Sequence, residues 1–472
     1  MTLDFFNTLL LIQGLSPVIK VRILKKVEKM HLIMNRRRFI RTSAGLLTVV
    51  SMPGVWACRR PVSKKKKYVF KPYDRSKTLA PVVKVTPDDG FYVHTYYDVC
   101  SISPSQRYLA VTRLPYQDHI PGLTDQDTAD VCVIDLEEQT IETVYSTRSW
   151  GFQVGANVQW GATDRHLYAN DVIKGTAVCV QIDLETDKAT AFAGPMYYIA
   201  PDESCVIGFP LELLNITQQG YGVPSEDPGN PRSLPPGAAE DEGIWRTDLK
   251  TNERRLLVSL ADVSALIPEP PPREDGTFYF WHSKFNKQGT RIMQVLRCLF
   301  PDGSGGRNSM VFTYNPDGSD IRYTPSKPVW AHGGGHPNWH PDGIYLIRNL
   351  KPDGKTNRFC KIRYDGTEVT VLSEKFRGGG HPTVEPNTRY CITDDFPYDG
   401  VQKVTIRLID LAAQKEESIC TMPTISRKGP AHPALRLDGH PFWSRDYKKV
   451  CFQAAPEGAR QLFMADLSGI VS

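Results

Sequence analysis

The sequence predicts an all-β fold, a seven-bladed β-propeller over residues 68–472, from two patterns that each recur seven times. The first pattern is a strand ending in a polar turn. It occurs seven times: IDLEEQT (134–140), IDLETDK (182–188), TDLKTNE (247–253), YNPDGSD (314–320), RYDGTE (363–368), IDLAAQK (409–415) and ADLSGI (465–470). Asp, Asn and Gly at these positions favour the tight turns that join antiparallel neighbours. The second pattern, strand–turn–strand, precedes each copy: VCSISPSQRYLAV (99–111), NVQWGATDRHLYA (157–169), MYYIAPDESCVIG (196–208), HSKFNKQGTRIMQ (282–294), HPNWHPDGIYLIR (336–348), HPTVEPNTRYCIT (381–393) and HPFWSRDYKKVCF (440–452). Two hairpins make a four-stranded blade, and seven such units close into a ring with short, protected edges.

The elements follow in chain order. Residues 34–58, MNRRRFIRTSAGLLTVVSMPGVWAC, place an arginine cluster before an apolar run too short to span a bilayer, then small residues before Cys58. This is the layout of a twin-arginine export signal. It predicts an exported protein, periplasmic or an outer-membrane lipoprotein with a lipid anchor through Cys58; a simple cleaved signal with an incidental cysteine is the alternative. Residues 1–33 make no sense ahead of such a signal, so Met34 is read as the true start and 1–33 as a non-native extension. Residues 59–67, RRPVSKKKK, form a basic linker, and 68–86 supply a strand that closes the ring. The long stretch 215–243 is rich in Gly and Pro without periodicity and reads as a loop over one mouth of the propeller.

The overall charge of +5 is carried by the N-terminus. The first 57 residues hold nine Lys/Arg against two acidic residues and the linker adds six positives, so residues 68–472 are left at −8. Such a body lacks the basic face that nucleic-acid binding requires. Of the ten cysteines, most sit singly inside apolar strands such as DVCVIDL and KVCFQAA, which points to buried free thiols rather than disulfides.

The turns alone align the blades, so the residue heading each unit is an independent observation. That column reads Val99, Asn157, Met196, His282, His336, His381, His440. Equivalent positions on successive innermost strands lie at one height around the channel, so His282, His336, His381 and His440 are expected to aim at one small volume and to hold a divalent metal ion, zinc or manganese. Within HGGGHPNWHPDG (332–343), His336 faces the channel, the glycines let backbone pass close to a ligand, and HPDG makes the turn. His332, His340 and His432 lie off the column and read as loop or turn residues. Other polar groups expected at the mouth are His94, Tyr96, Tyr97, Asp98, Arg113, His119, Gln153, Asn157, Gln159, Tyr221, Arg246, Arg377, Asp394 and Asp395; Arg297 reads as a member of a structural ion pair.

The stretches GGHPNWHPDG, HSKFNKQGTRIMQVLR and DGHPFWSRDYKKVCF resemble oligogalacturonate lyases, and HTYYDVCSISPSQRYLAVTRLPYQDHIPG, GANVQWG and GYGVP resemble propeller-type ulvan lyases. The resemblance covers residues 90–470. It implies a carbon–oxygen lyase acting by β-elimination on uronate-containing, ulvan-type sulfated glycans, with a histidine-bound metal and an anionic glycan as the partner. On it, Tyr221, Arg246, His94 and Asn157 are the catalytic candidates, and Arg113, His119, Gln159 and Arg232 contact substrate. Asn157 stands where the family pattern carries a histidine, which leaves the base unassigned. A dehydratase that expels water from a terminal uronate is one alternative; the other is a non-catalytic, TolB-like propeller that binds a periplasmic protein or glycan. The sequence has no GxSxG elbow and no HExxH helix, so it offers no serine-hydrolase or zincin motif.

Overall fold

The computed structural model describes residues 58–59, 65–120, 127–218, 220–223, 234–268, 273–304, 309–324, 335–395, 402–426 and 432–471. The expected extension, the export signal and the start at Met34 lie outside these, as does Arg232. The described chain is seven small antiparallel sheets in sequence order. Blade 1 is built on Tyr108–Leu114, Ala129–Asp135 and Thr140–Thr147, and blade 2 on Gln159–Trp160, His166–Ile173, Thr176–Asp183 and Lys188–Ala191. Blades 3 to 6 run over 198–259, 277–324, 338–371 and 383–423. Blade 7 takes Phe442–Trp443, Lys449–Ala454 and Gln461–Asp466, and its fourth strand is Val82–Lys84. The ring thus closes through a strand borrowed from the beginning of the described chain, at the place expected for 68–86.

Two short strands at the start of the described residues form sheet edges. Cys58–Arg59 pairs with Lys188–Ala189 of blade 2, and Lys66–Lys67 with Thr140–Ile141 of blade 1. Apolar side chains alternate inward along each strand and meet those of the next blade, as where Val111, Cys132 and Ile134 of blade 1 share a cluster with Phe442, Cys451 and Leu462 of blade 7. The nine cysteines from Cys100 to Cys451 are free, and eight of them are buried in these layers. No helix among the described residues is long and apolar enough to cross a membrane.

Every innermost strand starts at one end of the ring, here called the head, and finishes in a turn at the other. The seven residues of the column therefore share the head, and the Asp/Gly turns share the opposite face. Blade 1 departs from a plain propeller. Its Val93 pairs with Thr112, and the next contact along the same strand is Ile102 with Leu109. Nine residues span what three cover on the partner, an excess of six, and that excess leaves the sheet and enters the channel.

Candidate active site at the head of the channel

The column residues share an unusual backbone. Asn157 (φ 55°), His282 (57°), His336 (53°) and His440 (44°) all occupy the left-handed region, which is costly for side chains with a Cβ and clusters at functional sites. At His282 the cause is visible as a β-bulge, because the pairing slips between Trp281 and Ser283. In blade 6 the kink falls one residue earlier, on Gly380 (φ 60°). A Cβ there would collide with the Asp394 carbonyl. The kink turns the following side chain from the sheet plane towards the channel axis.

Three imidazoles meet there. The His381 ring lies 4.1 Å from that of His336 and 4.3 Å from that of His440, centroid to centroid. His282 reaches the group across Tyr96, whose ring stacks on it at 5.0 Å and touches His440 at 4.5 Å. His282, His381 and His440 are at most 1% exposed, whereas His336 keeps some access to solvent. Burial pushes His282, His336 and His440 well below the usual histidine range, so they are neutral at physiological pH. Neutral imidazole is the form that ligates metals.

A second column, thirteen residues after the first, orients these rings. Asp394 stands thirteen beyond His381 and accepts its Nδ1–H at 2.8 and 3.0 Å, together with the backbone N–H groups of His381 and His440. Burial opposes ionisation of Asp394, but the His381 contacts and these N–H donors hold its pKa below the usual carboxylate value. Gln453 stands thirteen beyond His440 with its amide 3.0 Å from Nδ1. Its Oε1 has no partner in this orientation; turning the amide over satisfies it and makes Nδ1 the donor. Asn170 and Asn349 stand thirteen beyond Asn157 and His336 and are also buried, whereas the residue thirteen beyond His282 is Val295. His282 Nδ1 is held from the neighbouring blade by the hydroxyl of Tyr197. In each case a partner on Nδ1 leaves Nε2 facing the centre, the arrangement that orients metal-bound histidines.

These residues fit a divalent ion. Among the described residues, Nε2 of His282 and Nε2 of His440 are buried with no hydrogen-bond partner, a condition that costs about 1–3 kcal/mol per group unless something binds there. A carboxylate oxygen of Asp438 completes a set with His381 and His440 in which the candidate ligand atoms all lie within 4.8 Å of one another. Mixed imidazole and carboxylate donors suit manganese and zinc.

The rest of the head supplies hydroxyl groups and a guanidinium. Tyr96 and Tyr97 arrive on the blade 1 excursion, a strap over residues 94–99, and both are nearly inaccessible. The Tyr96 hydroxyl lies beside that of Tyr221 and opposes the rise that burial causes in the Tyr221 pKa. Tyr221 follows the short helix Leu211–Thr217 and packs edge-on against Tyr96 and Trp281. Arg436 donates to the Tyr221 hydroxyl at 3.1 Å and pairs with Asp438 through Nε at 3.0 Å. Burial would lower the Arg436 pKa, but Asp438 and Tyr221 raise it, so its charge is secure.

Several residues expected at the site have other work. Arg246 lies near the turn end of its strand, 3.6 Å from Asp248, in a groove with Asp202, Arg255 and Asp317. That is the face opposite the histidines. Asn157 donates its amide to the carbonyls of Met196 and Tyr197, and Gln159 binds Tyr197 and Ile199, so both join blade 2 to blade 3. Arg113 is ion-paired with Asp130. His119 is largely exposed and stacks on Tyr116. His94 is buried behind His440, its ring 6.2 Å from that histidine and 4.8 Å from Phe442. Arg297 has no ion-pair partner among the described residues; it stacks on Trp281 and bonds Ser309 and Gln218. Val99 is displaced from the column by the strap. His340 bonds Thr388 and pairs with Asp342 in its turn, and His432 caps the short helix Pro433–Leu435. Residues that sequence reasoning passed over are Arg436, Asp438, Tyr197 and Gln453. A signal existed for two of them: in RLDGH, Arg436, Asp438 and His440 alternate and so share one face of an extended chain.

No family model matches the sequence, and no curated protein matches it. Among solved structures, an oligogalacturonate lyase in complex with manganese superposes with a TM-score of 0.60 at 14% identity, over 86% of this chain and 97% of that one. An oligogalacturonate lyase from Vibrio parahaemolyticus gives 0.58 at 13%, over 85% and 98%. At such identities the likeness establishes the class of protein, a seven-bladed β-propeller, and nothing finer. A TolB from Acinetobacter baumannii reaches only 0.35, over 65% of this chain and 61% of that one.

Proposed function

We propose that this chain is a carbon–oxygen lyase that performs β-elimination at a uronate in an acidic oligosaccharide, with a divalent ion held by His336, His381 and His440 and completed by His282 or Asp438. The observation that carries the reading is the convergence of these imidazoles with Tyr96 and the Tyr221–Arg436 pair in one buried volume. Elimination requires removal of the C5 proton, tolerance of the charge that builds on the carboxylate, and a proton for the oxygen leaving C4. The bound ion would supply positive charge opposite the uronate carboxylate, which acidifies C5–H. Burial raises the Tyr221 pKa, but Arg436 donates to the Tyr221 oxygen and opposes that rise with its positive charge, so we assign removal of the C5 proton to Tyr221. Burial raises the Tyr96 pKa well above the usual phenol value. Tyr96 therefore keeps its proton and is placed to give it to the leaving oxygen. The excluded water and the fixed donors strengthen each of these interactions.

The strap favours short substrates or chain ends, since it obstructs the channel beneath the histidines and a polymer cannot thread through. This supports the dehydratase variant, in which water leaves C4 of a terminal uronate, as the second reading. Ulvan-type sulfated glycan is the substrate class expected from the resemblance in GYGVP and HTYYDVC. The test is ultraviolet absorbance of the unsaturated uronate during incubation with galacturonate, ulvan and other uronate oligosaccharides, with manganese or zinc supplied. A flat trace across all of them overturns both variants. Product mass separates them, since one cleaves the chain and the other loses water.

A further inference from the structure

The Asp98–Lys284 ion pair takes no part in the chemistry above, yet both side chains are only 2% exposed. Taking two charges out of water costs more than their attraction usually returns, so a buried pair is poor evidence of stabilisation and asks for another explanation. Its place in the fold supplies one. Asp98 ends the run HTYYD that leaves the blade 1 sheet, and Lys284 lies two residues after His282 on the innermost strand of blade 4. The strap is fixed on one side by Thr95, whose hydroxyl donates to the Val158 carbonyl of blade 2 at 2.5 Å. On the far side of the ring it is fixed by Asp98 on Lys284 and by Tyr97, whose hydroxyl donates to the Pro337 carbonyl at 3.1 Å.

Lys284 Nζ donates to that same Pro337 carbonyl at 3.0 Å and lies 5.2 Å from the centre of the Tyr97 ring, while the Lys284 carbonyl accepts from the Trp339 indole at 3.1 Å. Proline has no N–H, so this carbonyl is the one backbone polar group by which the residue after His336 can be held. His336 itself sits in the left-handed region, ahead of Asn338, where the pairing of its strand begins. The Lys284 side-chain nitrogen thus ties together the strap carrying Tyr96 and Tyr97, the strand carrying His282, and the kink presenting His336.

We propose that Asp98 and Lys284 are positioning residues: a buried clamp across the channel that fixes His336 and the tyrosine strap in the geometry a metal requires. The proposal rests on the metal-dependent reading of the site. Its readout is metal affinity, which needs no substrate.

The test is calorimetric titration of Mn2+ into chelator-stripped full-length protein, for wild type, Lys284→Met, Asp98→Asn and a control, Arg291→Met. Arg291 is buried in the same blade but bonds Thr313 and Asp320 at the turn end. Its loss destabilises blade 4 without touching the clamp. Partners of metal ligands are typically worth about 10–100-fold in metal affinity. The expected result is a loss of that size in both clamp variants, with Arg291→Met within about twofold of wild type although it melts at a lower temperature. Should Lys284→Met fail to fold, Asp98→Asn, of equal size, carries the test alone. Folded clamp variants that bind Mn2+ as wild type does overturn the proposal, as does an equal loss in Arg291→Met, which would mark a general effect of stability. A wild type that binds neither Mn2+ nor Zn2+ overturns the clamp and the metal reading together.

Discussion

Replacing Asp394 by Asn is the sharpest single perturbation of this site, because it changes almost no volume and contacts the centre only through His381 and the His440 backbone. The carboxylate is fully buried and accepts Nδ1–H of His381 and the backbone N–H groups of His381 and His440. An amide offers one acceptor oxygen where there were two, and its NH2 must face one of these donors. Hydrogen bonds to a charged group contribute about 1.5–3 kcal/mol each, so loss of one or two predicts about 1.5–6 kcal/mol of destabilisation. The more specific effect is on the His381 tautomer. If the amide NH2 faces Nδ1, that nitrogen becomes the acceptor, Nε2 takes the proton, and it can no longer bind a cation. Metal affinity is expected to fall about 10–100-fold, or about 1.4–2.8 kcal/mol, measured by calorimetric titration and by elemental analysis of protein purified with manganese present. A folded Asp394→Asn variant that retains the wild-type metal content refutes the idea that the second column serves the first.

Tyr221→Phe and Arg436→Met should each lower the elimination rate by about 100-fold or more, in line with the loss of an acid–base group, while Mn2+ titration stays at wild-type affinity for Tyr221→Phe. Asn157→Ala should remove the bonds that tie blade 2 to the Met196 and Tyr197 carbonyls and cost about 1–3 kcal/mol in denaturant melts with metal binding retained; Arg246→Ala should change neither activity nor metal content. Burial lowers the pKa of His94 to about 3, so below about pH 6.5 the unfolded chain binds a proton that the folded chain refuses. Stability attributable to His94 is then complete above that pH and declines at about 1.4 kcal/mol per pH unit as pH falls towards 3. The slope of unfolding free energy against pH for the metal-free protein should be smaller by about one proton in His94→Leu.

The blades were legible because turn chemistry is local: seven Asp/Gly/Asn turns, each fixed by a few neighbouring residues, set the register of every sheet but one. That one exception is instructive. Val99 lies in the column by simple alignment, but the strap inserts six residues ahead of it, and nothing in the spacing of VCSISPSQ reveals that HTYYD leaves the strand. The convergence of His336, His381 and His440 was legible for the same reason as the blades. Their partners are harder to see, because Asp and Gln are common on strands, although the spacing of thirteen from His381 to Asp394 and from His440 to Gln453 is present in the sequence. Arg246 was misplaced for want of direction. Third strands run away from the head, and a residue two before the turn must finish on the opposite face, whereas Arg436, just ahead of a column histidine, has to lie near the centre.

The borrowed strand Val82–Lys84 bears on the order in which the molecule can be built. Lys84 meets Phe463, so this seam unites residues about 380 positions apart, a separation that burdens the rate of assembly far more than its equilibrium, since closure entropy grows only logarithmically with length. Six sheets can form in turn as the chain is synthesised, but the seventh waits for the last-made strand. His440 belongs to that late sheet and the tyrosines to the earliest one. Cation binding should therefore report completion of the circle, and a chain stopped short of Gln461 would present most of the ligands without the cage.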